Sequence, residues 1–210
     1  MKYKVMIVED QTMPRELFEL RIQASERFEV ALSIDNAALA DVYCLRFPVD
    51  LILMDVVTRG GESGLDAAER IKRTFPQMKI IIVTSMPECS YLSRAREIGV
   101  ESFWYKEEHR ESLMDVMERT MNGESVYPGA SPELTLGMAS SYQFTERELD
   151  ILREITSGDT NQEIADRLNM SVATVKTHIL NMLEKTGFRN RTELAVRARE
   201  SGLVILNRRN

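Results

Sequence analysis

The chain has 210 residues, 43% hydrophobic and 29% charged, with a formal charge of -6. That is ordinary globular material, enough for two small domains, and it argues against a chain that coats nucleic acid over its whole surface. The acidity is uneven: the Lys, Arg, Asp and Glu residues leave -7 over residues 1–144 and +1 over 145–210, so the last part is free to carry a basic face. Cys44 and Cys89 stand in no CxxC or His spacing, which speaks against a disulfide framework or a zinc site and for a reducing compartment. With no signal-peptide pattern and no long apolar span, a soluble cytoplasmic protein with no membrane partner is expected.

Val5-Met6-Ile7-Val8 reads as a buried strand that ends in the acid pair Glu9-Asp10. Met13 to Ser25 carries Leu17, Leu20 and Ile22 at helical spacing, with Pro14 tolerated in the first turn. The alternation continues as strand from Phe28 to Ile34, helix from Ala37 to Phe47, then Leu51-Ile52-Leu53-Met54, an apolar run that delivers Asp55. After a loop with Gly60, Gly61 and Gly64 come helix from Leu65 to Phe75, strand from Lys79 to Thr84, helix from Tyr91 to Ile98, strand from Glu101 to Tyr105 and helix from Glu111 to Met121.

Five apolar strands alternating with five helices specify an α/β doubly wound, five-stranded parallel sheet of flavodoxin-like type over residues 1–121. Right-handed crossovers bring the C-terminal ends of its strands to one edge, the edge where such sheets bind ligands. Glu9, Asp10, Asp55, Thr84 and Lys106 all fall there. Each alone has a plainer explanation, as a cap, a turn residue or a solvated end. Together they suggest chemistry. Three crowded carboxylates call for a hard divalent cation such as Mg2+, and Asp55 is then placed as a nucleophile toward a phosphoryl group, with Thr84 and Lys106 left to contact its oxygens.

Residues 122–143, rich in Gly, Pro and Ser, read as a linker, with a short helical piece near Pro132 to Met138. Residues 144–210 then show capping signals in succession: Thr145-Glu146-Arg147-Glu148, Thr160-Asn161-Gln162-Glu163, Ser171, and Asn190-Arg191-Thr192-Glu193. They open four helices, and the tight connection between the second and third makes a small all-α helix-turn-helix domain. On the third helix Val172, Val175, Ile179, Met182 and Leu183 form the inward stripe, while Thr174, Lys176, Thr177, Leu180 and Asn181 form the opposite face. That face is either solvated or a reader of base edges in double-stranded DNA. Lys185, Arg189 and Arg191 add positive charge where phosphates would run.

Residues 1–121 resemble the receiver domain of bacterial two-component response regulators, and Phe144-Thr145-Glu146-Arg147-Glu148 through Arg191-Thr192-Glu193-Leu194 resemble the LuxR-type DNA-binding domain. The whole chain is similar to response regulators of the NarL/FixJ type. The resemblance implies that Glu9 and Asp10 hold Mg2+ with Asp55, that a sensor histidine kinase phosphorylates Asp55, and that Thr84 and Lys106 contact the phosphoryl group. It also implies that Phe103 is a switch aromatic that swings inward when Thr84 moves. In the second domain it implies that the third helix enters the major groove and that the fourth helix builds a homodimer on DNA, with Leu194, Val196 and Arg197 as interface candidates. One stretch departs from the family: Val56 to Gly64 lacks the usual Met-Pro and is one residue longer. Val57 and Met86, two positions after Asp55 and Thr84, are expected to slow hydrolysis of the phospho-Asp.

Three readings follow. The first is a transcription factor switched by phosphorylation. The second keeps DNA binding but makes the receiver an unphosphorylated scaffold, with the unusual loop as its support. The third, a Mg2+-dependent phosphatase, needs an acid two residues after the nucleophile, and Val57 stands there; an enzyme is not expected.

Overall fold

The computed structural model describes residues 2–85, 89–106, 111–130 and 132–204. The chain forms two compact units whose main division falls between Gly129 and Ala130. In the first, strands β1 (Tyr3–Val8), β2 (Phe28–Ile34), β3 (Leu51–Asp55), β4 (Lys79–Thr84) and β5 (Ser102–Tyr105) form one sheet in the order β2-β1-β3-β4-β5, parallel throughout. They alternate with α1 (Thr12–Gln23), α2 (Ala40–Arg46, preceded by a 3-10 turn over Ala37–Leu39), α3 (Gly64–Thr74), α4 (Cys89–Ile98) and α5 (Leu113–Met121).

Successive side chains of a strand point to opposite faces, so a strand covered on both sides must be apolar at every position. Met6, Val8, Ile52, Met54, Ile80, Ile82, Phe103 and Tyr105 pack against α2, α3 and α4, with Leu65, Ile71, Leu92 and Ala95 as partners. The alternate residues Val5, Ile7, Leu51, Leu53, Ile81, Val83 and Trp104 pack against Phe18 and Ile22 of α1 and Leu113, Val116 and Met117 of α5. All five residues of β3 are buried, and this is why an unbroken apolar run announces it. The sheet carries one register shift, between Val5 and Met6 where β1 meets β2.

The composition of residues 132–138 suggests a helical piece, but the chain forms a small hairpin there, β6 (Thr135–Leu136) with β7 (Ala139–Ser140). Gly137 sits at its turn with φ 62, and a Cβ on it would lie 2.1 Å from the carbonyl oxygen of Thr186; only glycine permits this approach. The N–H of Met138 donates to that same carbonyl at 3.0 Å. Thus part of the stretch read as linker belongs to the second unit. Val126 and Tyr127, from its other end, belong to the first.

The four helices of the second unit are α6 (Glu146–Thr156), α7 (Asn161–Arg167), α8 (Val172–Thr186) and α9 (Arg191–Ser201). Thr145 with Glu148, and Thr160 with Glu163, form reciprocal capping boxes, and Ser171 and Asn190 cap α8 and α9. The caps satisfy N–H groups that would otherwise lack partners at each helix start. Gly187 and Gly202 end α8 and α9 with φ 74 and 72, the left-handed stop that glycine supplies. Leu149, Leu152, Ile155, Ile164, Val175, Ile179 and Met182 meet in one core. No helix among the described residues is long and apolar enough to cross a membrane.

Candidate functional site

The parallel sheet delivers Glu9, Asp10, Asp55, Thr84 and Lys106 to one edge, each at or just past a strand's C-terminal end. Carboxylate oxygens of Glu9, Asp10 and Asp55 lie within 4.8 Å of one another. Glu9 is fully buried and Asp55 is 3% exposed. Lys106 Nζ spans the cluster, 2.5 Å from Glu9 Oε2 and 2.8 Å from Asp55 Oδ2. Two backbone donors and one side chain complete the frame: Gln11 N–H to Glu9 Oε1 at 3.1 Å, Val57 N–H to Asp55 Oδ1 at 3.4 Å, and the Arg15 guanidinium to the Glu9 carbonyl at 3.1 Å.

Three acids against one lysine leave an excess of negative charge in a buried place. Burial raises the Asp55 pKa, Lys106 opposes the rise and Glu9 adds to it, so this carboxyl titrates at about 6 rather than 3.8. Burial would lower the Lys106 pKa, but Asp55 and Glu9 outweigh it and hold the ammonium above its ordinary value. An all-oxygen donor set with unneutralised charge fits a hard divalent cation such as Mg2+.

The loop after Asp55 is built by close approaches. A Cβ on Gly64 would lie 1.9 Å from the Asp55 carbonyl oxygen, so that position admits only glycine. Thr58 is buried, and its hydroxyl accepts from Ala37 N–H at 3.0 Å; Arg59 pairs with Asp35 at 3.0 Å. Gly60 and Gly61, at φ 94 and 82, let the chain turn back to a single bridge between Val57 and Ser63. The departure from the family's loop is thereby taken up on the β2 side, while Val57 N–H still reaches Asp55. Met86 lies outside the described residues.

Thr84 is fully buried, and its carbonyl accepts from Lys106 N–H at 2.9 Å. The expected inward swing of Phe103 meets a ring that already points inward: it is 1% exposed, with its centroid 5.0 Å from Tyr105 and 6.4 Å from Tyr127. The motifs did not single out Tyr91. Its phenol is raised above its ordinary range by burial first and by the charge of Asp55 second; a lone tyrosine in a helix gives no sequence signal of that neighbour.

In the second unit Thr174, Lys176, Thr177, Leu180 and Asn181 are all exposed on α8, and Leu180 is 59% exposed. Thr174 also pairs with Ser171 at 2.8 Å, and Thr177 donates to the Ala173 carbonyl at 3.0 Å. Arg189 is exposed. Lys185 and Arg191 differ from the expectation of free phosphate contacts. Lys185 Nζ bonds both carboxylate oxygens of Glu148, at 2.8 and 2.7 Å, and the Gln143 carbonyl at 2.9 Å. Arg191 bonds Asn161 Oδ1 at 2.6 Å and the Asp159 carbonyl, tying the start of α9 to that of α7. Leu194 is corrected as an interface residue: it is fully buried in its own domain's core, because α9 turns Leu194 and Ala198 toward α6 and α8. Val196 is exposed at 49%, and Arg197 lies beside it, also exposed.

Comparison with known proteins matches residues 5–118 to the response regulator receiver domain and residues 142–198 to the bacterial regulatory proteins of the luxR family. The response regulator protein VraR of Staphylococcus aureus (strain Mu3 / ATCC 700698) is 32% identical over 212 residues, covering 97% of this chain and 100% of that protein. RcsB from Salmonella enterica serovar Typhimurium, solved bound to promoter P1flhDC in the presence of phosphomimetic BeF3-, aligns with a TM-score of 0.61 at 20% identity over 97% of this chain and 100% of that one. The response regulator ChrA of a heme-sensing two-component system aligns at 0.53 and 21% identity, over 97% and 99%. At those identities the two structures speak for the fold alone. The sequence matches go further: this chain belongs to the two-component response regulators in which a receiver domain is followed by a LuxR-type DNA-binding domain.

Proposed function

We propose that the protein is a transcriptional regulator switched by Mg2+-dependent phosphorylation of Asp55 by a sensor histidine kinase, and that it acts in the cytoplasm as a homodimer on double-stranded DNA. The observation that carries this reading is the convergence of Glu9, Asp10 and Asp55 within 4.8 Å, bridged by Lys106. Glu9, Asp10 and Asp55 would hold Mg2+, which would supply the positive charge that lets an anionic phosphoryl group approach a carboxylate. Asp55 attacks the phosphorus of the kinase's phosphohistidine; the P–N bond breaks, the imidazole leaves, and an aspartyl phosphate forms. Lys106 transfers its ammonium from the free carboxylates to a phosphoryl oxygen, and the Thr84 hydroxyl serves another.

On the DNA side, Thr174, Lys176, Thr177, Leu180 and Asn181 present donors and methyl groups to base edges, and Arg189 meets phosphate. Lys185 and Arg191 act indirectly, by fixing α8 and α9. Val196 and Arg197 supply the dimer contact. The loop after Asp55 is the one feature that favours a scaffold-type receiver, and the phosphatase reading falls away with membership of a regulator family.

Sedimentation of the purified protein with Mg2+, with and without beryllofluoride, tests the proposal. Beryllofluoride should shift monomer to dimer, and Asp55→Ala should abolish the shift. Failure of beryllofluoride to bind would overturn the phosphorylation reading in favour of the scaffold.

A further inference from the structure

β5 lies at the edge of the sheet, and an edge strand needs cover. Two residues from beyond α5 provide it. Phe103 N–H donates to the Val126 carbonyl at 2.9 Å. Val126 N–H donates to Ser102 Oγ at 3.1 Å, Ser102 Oγ lies 2.7 Å from Thr120 Oγ1, and Thr120 Oγ1 donates to the Val116 carbonyl at 2.7 Å. Ser102 and Thr120 are fully buried, so this chain of polar groups is satisfied within the protein. Val126 and Tyr127 then alternate like strand residues: Val126 joins the side of the sheet with α1 and α5, Tyr127 the side with α2, α3 and α4.

Cover for an edge requires no more than this. Tyr127 does more. Its hydroxyl donates to the Val100 carbonyl at 2.7 Å, its ring stands 6.4 Å from that of Phe103, and the Arg96 guanidinium of α4 lies over that ring, 4.9 Å from the Tyr127 centroid. The segment thus holds Phe103 twice, by the main chain and by the ring, and it also touches the helix that follows Thr84.

We propose that Tyr127 is a positioning residue: docked on β5, it keeps the Phe103 ring inward, so the docked start of the interdomain segment and the occupied phosphorylation site favour the same state of the receiver. The proposal rests on the reading of Asp55 as phosphoacceptor. Coupling of this kind is reciprocal. A ligand at Asp55 must tighten the dock, and loss of the dock must weaken the ligand.

The test is beryllofluoride affinity in the presence of Mg2+, measured on the full chain by fluorine NMR titration, beside amide exchange at Phe103 and Val126. Tyr127→Ala should weaken beryllofluoride roughly fivefold, the low end of usual coupling between sites. Tyr127→Phe, which keeps the ring and loses one hydrogen bond, should retain most of the affinity. In a Phe103→Ala background the Tyr127→Ala change should have no further effect, because the group it positions is gone. Beryllofluoride should slow exchange at both amides in the wild type. An unchanged affinity in Tyr127→Ala, an equal fall in both backgrounds, or exchange indifferent to ligand would overturn the proposal while leaving Asp55 as phosphoacceptor. No binding by the wild type would overturn both.

Discussion

Lys106 and Lys185 both reach into buried carboxylates, one in each unit, but those carboxylates are provided for differently. Lys106 is divided between Glu9 and Asp55, and among the described residues Asp55 has otherwise only a 3.4 Å bond from Val57 N–H. Glu148 takes two bonds from Lys185, which gives a third to the Gln143 carbonyl, and also accepts from the Thr145 N–H at 2.8 Å and the Thr145 hydroxyl at 3.1 Å. Burial pushes both carboxyls upward. For Asp55 burial wins, and the group titrates at about 6; for Glu148, Lys185 and Thr145 outweigh it and hold the carboxyl below its ordinary value. A carboxylate whose lone pairs are filled by its own protein stabilises the fold, whereas one left short of donors costs stability until a ligand arrives.

The contrast breaks first at Glu148. Glu148→Ala leaves Lys185 beside an empty site and removes half of a capping box, and should cost about 3 kcal/mol in denaturant unfolding of the C-terminal domain. Asp55→Asn should act in the opposite direction. Removing a buried charge, on a carboxyl that the fold pushes up to about 6, should stabilise the metal-free receiver by ~2 kcal/mol near neutral pH, read as an increase in its thermal midpoint. A loss of stability there would mean that Lys106 pays Asp55 back in full.

Titration sharpens the same difference. Between 3.8 and about 6 folded Asp55 holds a proton that the unfolded chain releases, so acidification from about pH 7 to about pH 5 should raise receiver stability. Glu148 has a depressed folded pKa; its contribution is complete above its ordinary 4.5 and is lost as pH falls through the lower folded value. Over the first interval the C-terminal domain should therefore be insensitive to this group, then weaken below it. Thermal melts of the two domains at stepped pH would show the divergence. The smallest effect is kinetic: Val57→Asn should hasten loss of phosphate from Asp55 several-fold in a phosphate-release assay, by admitting water beside the acyl phosphate.

Much of this was legible in the sequence because it is local. Leu51 to Met54 announces a strand buried on both faces, and the strand's end fixes where Asp55 emerges. Thr145 with Glu148 and Thr160 with Glu163 are read three residues apart, the span of a helix's first turn. What escaped depends on partners distant in sequence. Lys185 meets Glu148 from 37 residues away, so in the sequence its charge looks free for phosphate. Leu194 stands close to Val196 and Arg197 in sequence, but helical spacing groups it with Ala198 on the buried side. The hairpin at Thr135–Leu136 and Ala139–Ser140 has two-residue strands, too short for any periodicity to register. Family likeness makes Phe103 a mobile aromatic, and the rings of Tyr105 and Tyr127 reveal where it rests.

Trp104 is the only tryptophan of the chain, on β5 between Phe103 and Tyr105, 7% exposed, with its indole N–H bonded to the Glu111 carbonyl at 3.0 Å and its ring edge-on to Phe18 at 6.4 Å. The receiver therefore carries the chain's sole indole chromophore, and the LuxR-type domain carries none. Indole emission from the intact protein follows the receiver alone, while the helical circular dichroism follows both domains. One sample gives two optical channels, in which the opposite behaviour of Asp55 and Glu148 becomes visible without cutting the chain.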